Sequence, residues 1–211
     1  MAHFFDQIMG HPAQFIPQTP RPTIKRGLMQ LPDNPNDDLS FDSSELRTIV
    51  LAGGCFWGSQ AYLRRLPGVA RTTVGYANGQ TPDPSYEQVC SNTTGHAEAV
   101  RVEYAAERLS LAQLLVWYFQ SIDPTSLNRQ GNDRGRQYRT GIYYSDPSDE
   151  PIIRQVIQAE QRKYAQPLVT EILPLICFYP AEDYHQDYLE KNPQGYCHLN
   201  ISQLISGIND D

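Results

Sequence analysis

Thr48-Ile49-Val50-Leu51-Ala52-Gly53-Gly54-Cys55-Phe56-Trp57-Gly58 sets the architecture of this 211-residue chain. A short aliphatic run bounded by Gly-Gly reads as a buried strand over 47–52. The stretch behind it, 56–66, reads as a helix stopped at Pro67-Gly68. The thiol at this junction admits two readings. One is a buried core cysteine, the commoner fate of a free thiol. The other is a nucleophile at a strand-to-helix turn. There the unpaired first-turn N–H groups of the helix would stabilise a thiolate and lower its pKa. Gly53 and Gly54 permit a sharp turn and leave the sulfur reachable. Phe56 and Trp57 are either the walls of an apolar pocket or ordinary core.

Outward from this junction the pattern stays globular. Residues 69–76 suit a strand, and Asn78-Gly79 with Pro82 and Pro84 mark a loop. Residues 97–104 suit another strand. Ser110 caps a helix carrying Leu111, Leu114, Leu115 and Tyr118. A loop rich in glycine and arginine covers 126–137, and 138–144 suits a strand. Ser148 opens a helix with Ile152, Ile153, Val156 and Tyr164 at helical spacing, closed near Pro167. Residues 168–178 form a strand broken or at an edge at Pro174. A helix is expected over 181–190 and a loop-rich tail from Asn192. Strands alternating with helices predict an α/β (α+β) sandwich with one mixed sheet. Residues 1–44, with six of the 16 prolines, read as a proline-rich arm. Residues 45–211 read as a single domain.

Residues 97–104 carry a second chemical signal. A side-chain period of two puts Glu98 with Val100, Val102 and Tyr104 on the apolar face. Glu103 falls on the opposite, charged face with Arg101. A carboxyl on an apolar face is desolvated, which raises its pKa. A carboxylic acid kept protonated near neutral pH can act as a general acid. The bland alternative is a strand-end glutamate bent into water.

The totals narrow the function classes. A net charge of -7 with no basic run argues against nucleic acid. No apolar stretch is long enough for a membrane span, and no signal peptide is evident. The four cysteines are too few for a disulfide framework and include no Cys-x-x-Cys. A reducing, cytoplasmic location fits, where a disulfide is transient and catalytic rather than structural.

The chain resembles the A-type peptide methionine sulfoxide reductases. The matching stretches are Gly54-Cys55-Phe56-Trp57-Gly58, the Tyr86 segment to Gly95-His96-Ala97-Glu98, and Gln130-Gly131-Asn132-Asp133 with Gln137-Tyr138-Arg139. The last is Ala181-Glu182-Asp183-Tyr184-His185-Gln186 leading to Gly195-Tyr196-Cys197. The resemblance implies a two-layer sandwich with a ferredoxin-like core. It implies that Cys55 attacks the sulfoxide sulfur and that Glu98 protonates the departing oxygen. Tyr86 and Tyr138 would bind that oxygen, and Phe56 and Trp57 the S-methyl group. Asp133 would order the Tyr138 loop or hold a water. Cys55 would become a sulfenic acid, resolved by Cys197 into a disulfide that thioredoxin reduces. The S epimer of methionine sulfoxide, free or in proteins, is the implied substrate. No metal and no cofactor are implied, and a monomer is expected.

Other residues read as structural. Cys90, four positions from Tyr86, reads as core-facing on a short helix. Cys177 reads as strand core, and His96 and His185 as loop supports. The acidic side chains of Glu182, Asp183 and Asp187 read as a solvated or loop-bracing face. The tail beyond Cys197 holds no further cysteine, so the simplest cycle uses two thiols. Two rivals remain. A cysteine hydrolase would pair Cys55 with His185 and Asp183, or with His96. A sulfoxide-binding protein without turnover would leave Glu98 and Cys197 without a task.

Overall fold

The computed structural model describes residues 31–209. The proline-rich arm therefore lies outside the described residues as far as Gln30. Eight strands are described: β1 Leu46–Gly53, β2 Val69–Ala77, β3 Ala97–Ala105, β4 Arg129–Gln130, β5 Asp133–Arg134, β6 Thr140–Tyr144, β7 Glu171–Pro174 and β8 Phe178–Pro180. The α-helices are α1 Phe56–Leu63, α2 Tyr86–Cys90, α3 Leu111–Ser121, α4 Glu150–Gln161, α5 Tyr188–Lys191 and α6 Ile201–Asn209. Six strands form one mixed sheet in the order β7-β6-β1-β3-β2-β8, and β4 and β5 form a separate ribbon. All its pairings are antiparallel except the parallel β6–β7 pair. None of the described helices is long and apolar enough to cross a membrane.

Side-chain alternation explains the two faces of the sheet. Ile49, Leu51, Val100, Val102 and Tyr104 turn to one side and join the helical residues Leu63, Leu114, Ile153 and Ile205 in the main core. Val50, Ala52, Ala77, Ala97 and Ala99 face the other side, where Leu175 and Phe178 cover them. The small alanines let the β7–β8 connection lie close to the sheet. Glu98 follows the phase of Val100 and Val102, so the sequence periodicity places it correctly, only 1% exposed.

Asn36 secures the segment before β1. Its side-chain amide donates to the carbonyls of Arg64 at 3.1 Å and Leu66 at 2.9 Å, and its Oδ1 accepts from Gly68 N–H at 3.0 Å. These are backbone groups just past the C-terminal end of α1 that the helix cannot satisfy internally. The segment therefore closes the far end of the helix that Cys55 begins.

Four expectations need correction. Residues 181–182 are irregular and 183–187 form turns rather than a helix, with Asp187 left-handed at φ 51°, and only Tyr188–Lys191 is helical. Their polar side chains bond to other elements instead of leaving the backbone to coil. Gln186 alone bridges both backbone groups of Val74 and the carbonyl of Ala181. The tail is not simply loop: Ile201, Leu204, Ile205 and Ile208 give α6 an apolar stripe at helical spacing. Cys177 lies between β7 and β8, half-buried, its Sγ near Gly79 O at 3.7 Å and His96 Nε2 at 3.9 Å. Cys90 is half-buried as well, rather than core.

Candidate active site

Cys55 is the N-cap of α1 and follows Gly54, whose φ of +82° only glycine adopts without strain. A side chain at Gly54 would also meet Gln130 Cβ at 2.7 Å, so the loop behind the thiol is closed. The first N–H of α1 is committed to the acid: Phe56 N–H donates to Glu98 Oε2 at 3.1 Å. The Cys55 side chain closes no cap hydrogen bond, though the Trp57 N–H is near enough to favour its thiolate. One helix start thus holds both the thiol and the acid that β3 presents opposite it.

Glu98 behaves as the strand phase predicts. Burial raises its pKa from an ordinary 4.5 to about 8, opposed by the Phe56 N–H and assisted by the charge of Asp133. Its Oε1 is buried without a hydrogen-bond partner among the described residues. The acid is therefore protonated at neutral pH, with one oxygen uncommitted.

Cys55 departs from expectation. The helix start was expected to lower its pKa; the structure moves it well above the ordinary 9.0. Burial is the largest cause, and the charges of Glu98, Asp133 and Cys197 add to it. The Trp57 N–H pulls the other way and does not win. Desolvation of a cysteine that is 7% exposed outweighs the favourable helix start. While Glu98 keeps its proton, its contribution to this shift is absent.

The aromatic wall is more connected than its sequence suggests. Trp57 Nε1–H donates to His185 Nδ1 at 3.0 Å, and its ring stacks on Tyr188 at 3.8 Å. His185 also packs against Phe56 at 5.1 Å and Tyr86 at 4.5 Å. Burial lowers the His185 pKa, which keeps Nδ1 free to accept from the indole. This engagement removes His185 as base for a cysteine hydrolase. His96 faces Cys177 and Tyr179, so neither histidine serves Cys55.

The remaining predicted residues converge on the same place. Tyr138 ends a 3-10 turn over Arg136–Tyr138, and Tyr86 opens α2. Both phenol pKa values are raised, chiefly by burial, and both feel the charge of Glu98; Tyr138 also feels Cys55. The Tyr86 hydroxyl lies close enough to Cys90 that each shifts the other's pKa. Asp133, on the β4–β5 ribbon, bonds to the Tyr196 hydroxyl and lies 3.9 Å from His198 Nδ1. Both of these neighbours belong to the C-terminal tail. Cys197 lies against Gly58, its Sγ 2.9 Å from where a Cβ would stand there. Gly58 is one turn along from Cys55, on the same face of α1. Burial raises the Cys197 pKa to about 11, and all four cysteines are free thiols.

Sequence reasoning did not find the parts played by His185, Tyr188, Tyr196 and Glu182. Their motif stretch was visible, but which ring meets which depends on the turns at 183–187.

Residues 47–210 match the family described as peptide methionine sulfoxide reductase. A peptide methionine sulfoxide reductase MsrA of Clostridium botulinum (strain Okra / Type B1) is 56% identical over 156 residues, which are 74% of this chain and 99% of the relative. The crystal structure of Mxr1 from Saccharomyces cerevisiae in reduced form aligns with a TM-score of 0.72 at 36% identity, covering 78% of this chain and 95% of that one. Mxr1 in complex with Trx2 aligns with a TM-score of 0.51 at 25% identity, covering 72% and 91%.

Proposed function

Because the chain belongs to the peptide methionine sulfoxide reductase family, and is an oxidoreductase of that kind, we propose that Cys55 and Glu98 carry out the reduction together. The observation that carries this reading is the protonated Glu98 held by the first N–H of the helix that Cys55 caps.

Cys55 attacks the sulfoxide sulfur, and Glu98 gives its proton to the sulfoxide oxygen. Tyr86 and Tyr138 donate to that oxygen as charge builds on it. Phe56 and Trp57 hold the S-methyl group, the indole fixed by His185 and Tyr188. The products are methionine and a Cys55 sulfenic acid, so one thiol and one sulfoxide exchange one oxygen atom. Cys197, packed against Gly58 one turn along α1, then displaces water from the sulfenic acid to form a disulfide. The raised Cys55 pKa fits a nucleophile that loses its proton only as substrate binds, next to an acid that carries no charge.

The disulfide is returned to two thiols by thioredoxin. The structural neighbour solved with Trx2 supports that choice. The substrate is the S epimer, free or within proteins, and the role is repair of oxidised proteins in the cytoplasm. A β1-α1-β2-β3-α3-β6 core with strand order β6-β1-β3-β2 supports the ferredoxin-like reading of the fold. The test is turnover of a racemic methionine sulfoxide peptide with thioredoxin, thioredoxin reductase and NADPH. Consumption that stops with only the R epimer left is expected. Equal loss of both epimers, or no NADPH oxidation, refutes the proposal.

A further inference from the structure

Glu182 takes no part in the steps above, yet both of its carboxylate oxygens are committed at the site. Oε1 accepts the Tyr86 backbone N–H at 2.9 Å, and Oε2 accepts the Tyr76 hydroxyl at 2.7 Å. Tyr76 is buried and stands directly opposite Glu98 in the β2–β3 ladder. One carboxylate therefore ties the first residue of α2 to the strand position beside the acid.

The need for such a tie follows from the length of α2. Five residues make barely more than one turn, too few to be stable alone. Ser85 and Gln88 cap the turn locally, but nothing in that cap fixes its distance from β3. Glu182 supplies the long-range bond, and a charged acceptor makes it a strong one. Burial raises the Glu182 pKa, but the Tyr76 hydroxyl and the Tyr86 N–H together bring it below the ordinary 4.5, so it is ionised at neutral pH.

The segment that carries Glu182 is anchored independently. Ala181 N–H donates to Val74 O at 2.9 Å. Gln186 accepts from Val74 N–H at 3.0 Å and donates to Val74 O at 2.9 Å. Asp187 pairs with Arg64 at 2.8 Å. Losing the Glu182 carboxylate therefore leaves the segment docked; it releases the Tyr86 N–H and leaves the Tyr76 hydroxyl without its acceptor.

We infer that Glu182 is a positioning residue for Tyr86, holding it relative to Glu98 so that the phenol and the acid meet the same sulfoxide oxygen. The inference rests on the role proposed above for Tyr86.

A double-mutant cycle in single-turnover rate at saturating peptide sulfoxide tests it. Tyr86→Phe and Glu182→Ala should each slow the reaction roughly tenfold or more, since each costs one oxyanion donor or its aim. The double variant should be no slower than Tyr86→Phe alone, because Glu182 acts through the hydroxyl already removed. Glu182→Gln, which keeps a carbonyl acceptor, should recover most of the rate. The stability cost of Glu182→Ala, read by urea unfolding, should be equal in both backgrounds. Rate costs that multiply in the double variant overturn the inference, as does an unchanged rate for Glu182→Ala. Should Glu182→Ala not fold, Tyr76→Phe removes one of its donors and must show the same masking by Tyr86→Phe. An unchanged rate for Tyr86→Phe alone refutes the Tyr86 assignment itself, and wild-type inactivity refutes the reductase reading.

Discussion

Replacing Glu98 by glutamine should make the protein more stable and far less active. The folded protein holds the Glu98 proton to about pH 8, whereas the unfolded chain releases it near 4.5. Between those values the native state binds one more proton than the unfolded state, so stability falls as pH rises. The slope is about 1.4 kcal/mol per pH unit, and the loss approaches 5 kcal/mol across the whole window. Glutamine mimics the protonated acid: its carbonyl still accepts Phe56 N–H, and it never charges. Other titrating groups are common to both proteins and largely cancel in the difference. The stability gap between Glu98→Gln and wild type should therefore widen by about 2.5 kcal/mol from about pH 5.5 to about pH 7.5. Urea unfolding of both proteins across that range measures it. Single-turnover reduction by the variant should fall by about 10²- to 10⁴-fold, the usual worth of a general acid. A gap that stays flat with pH refutes the buried neutral acid, whatever the variant does to the rate.

Three further outcomes follow from the same geometry. In Gly58→Ala the new Cβ would stand 2.9 Å from Cys197 Sγ. The first methionine should form normally, while the sulfenic acid lingers long enough for dimedone to trap it; unchanged disulfide formation would contradict this. Alkylation of substrate-free Cys55 by iodoacetamide should keep rising with pH beyond the ordinary thiol pKa of 9.0. A plateau near neutrality would show a stabilised thiolate instead. Asn36→Ala should cost about 2 kcal/mol in urea unfolding, because it strands the carbonyls of Arg64 and Leu66 and the N–H of Gly68. No loss would mean that the segment does not close α1.

The sheet was legible because its central strands are short apolar runs bounded by turn residues, buried on both faces. For Glu98, the phase that sends Val100 and Val102 to the core fixes its burial and its raised pKa. Cys55 was legible by position but not by electrostatics. Its neighbours Cys197 and Asp133 come from distant parts of the chain, and the burial they impose reverses the effect of the helix start. The segment 181–190 misled because its helix-forming residues meet tertiary partners that local propensity does not register. Glu182 reads as an acidic surface residue until Tyr76 and Tyr86 stand on either side of it. The α6 stripe, by contrast, was present in Ile201, Leu204, Ile205 and Ile208 and needed only its period.

A single-turnover reaction without reductant tests the central claim most directly. The four-thiol protein is mixed with excess methionine sulfoxide peptide; methionine is counted, and the remaining thiols are alkylated and mapped. The account predicts about one methionine per chain, with Cys55 and Cys197 joined and Cys90 and Cys177 still free. Formation of no methionine with all four thiols intact, or a disulfide that leaves Cys55 out, would contradict it.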